Sequence, residues 1–487
     1  MPLLTYNTRL QKNNLEQDNK NRNLFLAALP SGYGDRFLAL LNAMYLSEKF
    51  ECLFGFVWNK RKVFDPIDNN EKVLPNYIES EEFVFDFEFI KKFSYTHIYE
   101  HSWHKYPLDE HFFKKFVNKS EIIYVNHFDL SKNKFIQENF SDYHSALPLL
   151  WNKIGFSHEI ELLKKEIERL VKEYFKSFIA ITIRSGEIVY GFIRHRSEAI
   201  FKAMPVEIAM EIILKNYSSN IVLFGDDISE LYQIQKFFNQ KNNLFVAYDF
   251  FNEKLYSREK FQVFFDIFLM SKSKKVFSAE SSFSKLSSLI GLGENPIFYR
   301  NYFCEKEIFH IIKKNYGKIS VSNLQKSYSQ SVLFYLLVKG SCNENISKVA
   351  LIDDILKLDS INSTFIMEKF IFLASKNIFH AEEYFTAKIQ ENDKNLKYFF
   401  ENKIYFERYR DFILKDVKYS KICSIELLSF ILSMFIHEKK YNEANAIYGQ
   451  ILNSNNMLKK DIKDKDNIIQ NNISLIKKLN QVIEIQN

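Results

Sequence analysis

From Phe178 to Gly291 the chain repeats one pattern: a short apolar run, a small polar loop, then a helix-length stretch with apolar residues three and four apart. The runs are FIAITIR (Phe178–Arg184), IVLFG (Ile221–Gly225), LFVAY (Leu244–Tyr248) and KVFSA (Lys275–Ala279). Between them lie helical Val206–Asn216, Ser229–Asn239 and Arg258–Ser271, and Ser281–Ile290 opens another helix. Strands separated by whole helices must run parallel, because a crossover connection needs that length. A similar unit stands near the start: LFLAAL (Leu24–Leu29), the loop PSGYGD, an amphipathic stretch Arg36–Lys49, and CLFGFVW (Cys52–Trp58). A helical link near Asp142–Phe175 joins the two. The pattern predicts an α/β chain of two Rossmann-like domains facing a cleft.

Proline and glycine set the outer limits. All eight prolines occur by Pro296, and the distal chain carries helical spacing such as Ile469, Ile473, Ile476 and Ile483. This predicts an all-α C-terminal extension with a boundary near residues 310–330, and domains of 1–165, 166–315 and 316–487. HEKKYNEANAIYGQIL (His437–Leu452) resembles one tetratricopeptide-type helix pair, although a single unit cannot bury a core as an array does. A helical bundle packed on the α/β part is the other reading.

Composition removes several classes. Four cysteines lie far apart with no CxxC pair, which argues against a disulfide scaffold or a zinc ribbon and for a reducing compartment. His97, His101, His104 and His111 fit no metal spacing, and no metal is expected. The net charge of +6 is spread along the chain without the stripe or motif of a nucleic-acid binder. A mild positive excess suits anionic small molecules or an anionic membrane face. The first residues lack the apolar core of a secretory signal, and no apolar run reaches the ~18 residues of a membrane span. The expectation is a soluble cytoplasmic protein. The 49 Phe residues read as coding bias rather than a stacking platform.

Chemistry concentrates in loops at the carboxyl ends of strands, where open α/β sheets bind ligands. In the first, Arg184 precedes Ser185 and Gly186, so a guanidinium that forks onto phosphate oxygens sits beside a permissive backbone. In the second, Gly225, Asp226 and Asp227 follow a strand; the acids can hold a ribose or base edge, and helix capping suits Asp227. In the third, Glu280, Ser281, Ser282 and Ser284 surround a helix start, a ready anion site or a plain serine cap. Gly32, Tyr33, Gly34 and Arg36 form the glycine loop of the first unit. Arg194-His195-Arg196 is a basic cluster just beyond the first loop. Glu187, Asp35 and His195 are the candidates for a general base.

Arg184-Ser185-Gly186-Glu187, Phe224-Gly225-Asp226-Asp227 and, above all, Asp266–Gly291 (DIFLMSKSKKVFSAESSFSKLSSLIG) resemble the fucosyltransferase superfamily, nearest its bacterial alpha-1,2 branch. Gly32-Tyr33-Gly34-Asp35-Arg36 is similar to that family's glycine turn. Glu187 stands where the family carries Asp, and Lys285-Leu286 where it carries paired tryptophans. The resemblance implies a GT-B fold with residues 1–165 on the acceptor side, a nucleotide-diphosphate sugar donor of GDP type, and no cofactor or metal.

 Arg184 and the serine-bearing helix start would hold the diphosphate, and the glycine loop would help place the acceptor. The implied activity moves fucose, heptose or a related sugar from a GDP-type donor to a hydroxyl of a capsular or lipopolysaccharide glycan, with peripheral inner-membrane or capsule-complex association through the distal helices. The alternatives are a non-catalytic scaffold of a capsule-assembly complex, or a transferase of another nucleotide-carried group.

Overall fold

A computed structural model describes residues 23–64, 76–102, 121–139, 141–191, 194–197, 199–341, 346–377 and 379–388, together with 391, 447 and 449. His104, His111, Cys342, Cys423, the stripe from Ile469 to Ile483 and, apart from Ile447 and Gly449, the His437–Leu452 segment lie outside the described residues. Contacts divide the chain into two compact units, residues up to Gly191 with 198–325, and residues 192–197 with 326 onward.

The first unit holds both α/β halves. Its N-terminal sheet has the order β2-β1-β5, with β1 Leu24–Ala27, β2 Leu53–Phe56 and β5 Ile122–Val125 all parallel. An antiparallel pair, β3 Arg61–Phe64 and β4 Asn76–Ile78, stands beside it in the chain. The C-terminal sheet has the order β10-β9-β6-β7-β8, with β6 Ile179–Ile183, β7 Ile221–Gly225, β8 Leu244–Val246, β9 Lys275–Ser278 and β10 Ile297–Phe298. Its neighbours all pair in parallel. Read from β8 to β10, the strands follow the Rossmann sequence, in which the first strand lies inside and the chain later crosses to its other side. The expected strands appear, trimmed by a residue or two at their ends. β5, β10 and the β3–β4 pair were not expected.

The principal helices of this unit are α1 Tyr33–Lys49, α2 Tyr143–Trp151, α3 His158–Leu170, α4 Gly186–Tyr190, α5 Val206–Lys215, α6 Ile228–Phe237, α7 Arg258–Ser271, α8 Ser282–Leu292 and α9 Glu305–Asn315. Aromatic rings join the two halves into one core. Phe37 of α1 lies 5.1 Å from both Trp58 and Trp151 and 6.3 Å from Phe264 of α7, measured between ring centres. These core phenylalanines are therefore packing residues, whatever biased their coding: a large ring fills more volume than any aliphatic side chain. Two glycines let α8 come close to its neighbours. A Cβ on Gly34 would lie 2.6 Å from the Phe283 nitrogen and 2.7 Å from the Ser282 carbonyl carbon, and one on Gly291 would lie 2.0 Å from the Ser271 carbonyl oxygen.

A buried carboxylate closes the same seam. Asp129, beyond β5, accepts hydrogen bonds from the Ser131 hydroxyl at 2.6 Å and from Asn295 at 3.0 Å, and pairs with Lys285 of α8 at 3.2 Å. The His144 ring nitrogen lies 3.2 Å away. Burial pushes the Asp129 carboxyl up, but His144, Ser131, Lys285 and Asn295 outweigh it and hold the group below the usual carboxylate range.

The second unit is helical where it is described, with α10 Asn323–Val338 entering it from residue 326, followed by α11 Lys348–Leu358 and α12 Ser363–Lys376. Arg194 and Asp359 form an ion pair inside it, each side chain only 1% exposed. Among the described residues no helix is long and apolar enough to cross a membrane.

Two substitutions check these contacts. Gly34→Ala forces a methyl group into backbone that cannot retreat, so overpacking should cost about 1–3 kcal/mol of stability, read by urea unfolding. Asp359→Ala should cost about 3–5 kcal/mol by leaving the Arg194 cation buried and unpaired, and a loss below 1 kcal/mol would refute that role for the pair.

Candidate functional site

Each sheet reverses its strand order at one point, and ligands bind outside the carboxyl ends of the strands there. In the C-terminal sheet the reversal lies between β6 and β9, which brings together the loops carrying Arg184 and Ser281. In the N-terminal sheet it lies between β1 and β5, the strands that precede Asp35 and His127.

On the N-terminal side, Gly32 caps α1 with its backbone alone, and Asp35 occupies the first turn. The Ser31 hydroxyl donates to the Asp35 carboxylate. The His127 Nε2 lies 3.7 Å from Asp35 Oδ1, with the two side chains 28% and 24% exposed. A partly exposed carboxylate beside an imidazole can accept a proton from a hydroxyl that reaches it.

On the C-terminal side, Arg184 follows β6 directly, and its Nη2 donates to both Glu187 oxygens at 2.7 and 2.8 Å. Gly186 has φ +39°, a conformation that suits glycine. A Cβ there would lie 3.0 Å from the Asp226 Oδ2. The preceding Ser185 N–H donates to Asp226 Oδ1 at 2.8 Å. Burial opposes the charge on Arg184, but Glu187, Asp226 and Asp35 more than offset it and hold its pKa above an ordinary arginine's. Asp35, on the N-terminal side, is the last of these influences. Asp226 is pushed up to about 6, because burial outweighs the Ser185 hydrogen bond and the attraction of Arg184.

Several expected ligand groups are engaged elsewhere. The Ser185 hydroxyl donates to Glu230 at 3.1 Å and accepts from Gln325 at 2.7 Å, while Ser185 itself is buried. Asp227 caps α6 through the Glu230 N–H at 3.1 Å and accepts the Tyr190 hydroxyl, so it is not open to a ribose. Ser281 caps α8 at the Phe283 N–H, and the buried Ser284 donates to the Ser281 carbonyl at 3.0 Å. Ser282 remains partly exposed, and the exposed Glu280 lies 3.8 Å from Arg300. Gly225 packs against β6, where a Cβ would meet the Ile183 carbonyl oxygen at 2.5 Å.

Other candidates leave the site altogether. Tyr33 is a core residue, 2% exposed, whose hydroxyl accepts the Glu79 N–H at 2.8 Å. Gly34 packs against α8, and Arg36 is buried behind the loop. His195 belongs to the second unit and is fully buried, with its Nδ1 2.9 Å from the Asn362 amide nitrogen and 3.0 Å from the Ser331 hydroxyl. Burial pushes its pKa down to about 3. An imidazole closed off in this way cannot meet an acceptor hydroxyl, so it is removed as a general base.

The sequence reading missed His127, Glu230 and Gln325. Glu230 is visible only as the third residue after the Asp227 cap, and no local signal links Gln325 to Ser185. The Gln325 amide reaches Glu230 at 2.7 Å as well, so one side chain ties the first turn of α10 beneath the Arg184 loop. Burial and the charge of Asp227 push Glu230 well above the usual range.

No family model and no curated protein matches the chain. Solved structures are similar in fold: fucosyltransferase NodZ from Bradyrhizobium, with 14% identity and a TM-score of 0.34 over 55% of this chain and 92% of that one. NodZ alpha-1,6-fucosyltransferase co-crystallized with GDP is 12% identical, with a TM-score of 0.33 over 55% and 92%. POFUT1 in complex with GDP-fucose is 12% identical, with a TM-score of 0.30 over 57% and 98%. Overlap at this level is a distant likeness of fold and carries nothing about chemistry.

The raised pKa of Asp226 has a definite sign in stability. Its folded value near 6 exceeds the ordinary 3.8, so its contribution is full below about pH 4 and is lost as pH rises through 6. Asp226→Asn should therefore gain stability relative to the parent at pH 7 and not at pH 4, as read by urea unfolding at both values. An equal change at both would sink the assignment.

Proposed function

We propose that the chain transfers a sugar from a GDP-linked donor to a hydroxyl of a surface glycan. The observation that carries this is a fork-bearing cation, Arg184, at one strand reversal, with Asp35 at the other among the acids that favour its charge. That pairing suits group transfer: Arg184 neutralises the departing diphosphate, while Asp35 takes the proton of the attacking hydroxyl. The bond from the anomeric carbon to the phosphate oxygen breaks as the bond to the acceptor oxygen forms. Negative charge moves onto the diphosphate, and the acceptor proton moves to Asp35.

Glu187 has the other part in this scheme. Both of its oxygens face Arg184 at 2.7 and 2.8 Å, so an entering diphosphate must exchange with them. Glu187 therefore holds the guanidinium in place before the donor arrives, and Asp35 is the better base. The partly exposed Ser282 and the start of α8 add dipole stabilisation on the same side. Donor binding is proposed to need no metal. A cytoplasmic place at the inner membrane and a capsular or lipopolysaccharide acceptor complete the proposal.

Arg184→Lys keeps the charge and loses the planar fork. Losing one charge-assisted bond of ~1.5–3 kcal/mol should weaken GDP binding about ten- to a hundredfold, with turnover falling at least as far. Calorimetry with GDP in EDTA on the parent and the variant checks both points. Binding that vanishes on chelation overturns the metal-free reading, and unchanged affinity in the variant removes Arg184 from the site.

A further inference from the structure

The proposed transfer leaves a group of positive charges unused at the end of the N-terminal sheet. Arg36, in the first turn of α1, is 2% exposed. Its Nε donates to the Ser31 carbonyl at 2.8 Å and its Nη1 to the Asn59 carbonyl at 3.0 Å, and the guanidinium lies 5.2 Å from the Trp58 ring centre. Among the described residues its Nη2 is buried without a hydrogen-bond partner. Arg61, on β3, is exposed and donates through Nη1 to the Pro30 carbonyl at 2.9 Å. Among the described residues neither arginine has a carboxylate at ion-pair distance, whereas the adjacent Lys60 pairs with Glu79 at 3.0 Å.

The two cations act on one another. Burial lowers the pKa of Arg36 to about 10 and the charge of Arg61 adds to the effect, so Arg36 still carries its proton at neutral pH. His101 lies in the same field: burial, then the charges of Arg36 and Arg61, push it down against the hydrogen bond to Ala28. Its ring meets the Ala28 carbonyl through Nδ1 at 2.9 Å and the Asn59 N–H through Nε2 at 3.3 Å, which satisfies a neutral imidazole. A buried charge without a counter-ion is costly, and a second cation beside it raises the cost. An arriving anion relieves both.

We propose that Arg61, backed by the buried charge of Arg36, binds an anionic group, a carboxylate or phosphate, on the acceptor. The position fits that substrate. Ser31 accepts from Arg36 and donates to Asp35, so the cation pair and the proposed base share one loop, while the proposed donor cation Arg184 stands on the other sheet. The identity of the anion's carrier as an acceptor rests on the glycosyltransferase reading; the anion site does not.

The test compares the full chain with Arg61→Gln, an exposed substitution that should leave folding intact. Melting temperature is read with glucuronate, with inorganic phosphate and with neutral glucose at matched ionic strength, and GDP affinity is read separately by calorimetry. The expected result is a rise with at least one of the two anions and none with glucose. Arg61→Gln should abolish that rise while changing GDP affinity less than twofold. No rise in the parent, an equal rise in the variant, or a tenfold loss of GDP affinity in the variant overturns the proposal. If GDP binds neither protein and the Arg61-dependent rise persists, the transferase reading fails and the anion site stands.

Discussion

The close approach of α1 to α8 is the constraint on which the first unit depends. Gly34 brings helix backbone against helix backbone at the start of α8, where any side chain would drive the two apart. Its chain neighbour Asp35 is thereby fixed on the seam between the halves, within the field of Arg184. The Asp129 cluster holds the seam at a second place through Lys285 of α8. Each half is an ordinary parallel sheet; only their joining sets a cation on one side and a carboxylate on the other.

The charge balance of that site is unusual for one that would bind an anion. Arg184 is surrounded by Glu187, Asp226 and Asp35, and the burial of Asp226 keeps its carboxyl partly protonated near pH 6. Glu187 holds the guanidinium through two hydrogen bonds, at the price of competing with any phosphate for it. Beneath them, Glu230, Gln325, Tyr190 and Asp227 form a second polar layer that holds the Ser185 hydroxyl. Such a layer sets the geometry of the loop above it without touching a ligand.

Much of the framework was legible because parallel strands are short, apolar and separated by helices. Ile179–Ile183 and Ile221–Gly225 are buried along almost their whole length, so their sequences could hardly be read otherwise. β5 was missed because Ile122–Val125 is a four-residue run outside the strand–helix repeat, and β10 because it is only two residues long. Capping by Asp227 was also legible, since an acid just before a helix satisfies its free N–H groups.

The sequence by itself determined the class of the chain and put Arg184, Asp35 and the α8 start at strand ends, because local periodicity and loop chemistry are local properties. It could not tell which hydroxyls were free. Ser281 and Ser284 look alike as ligands and as caps, and only the folded helix shows both engaged within α8. Nor could it place His195, which adjoins the Arg184 loop in the chain yet is buried with Ser331 and Asn362 in the second unit. Those assignments were left to tertiary structure because burial and long-range hydrogen bonding depend on partners that lie far away in the chain.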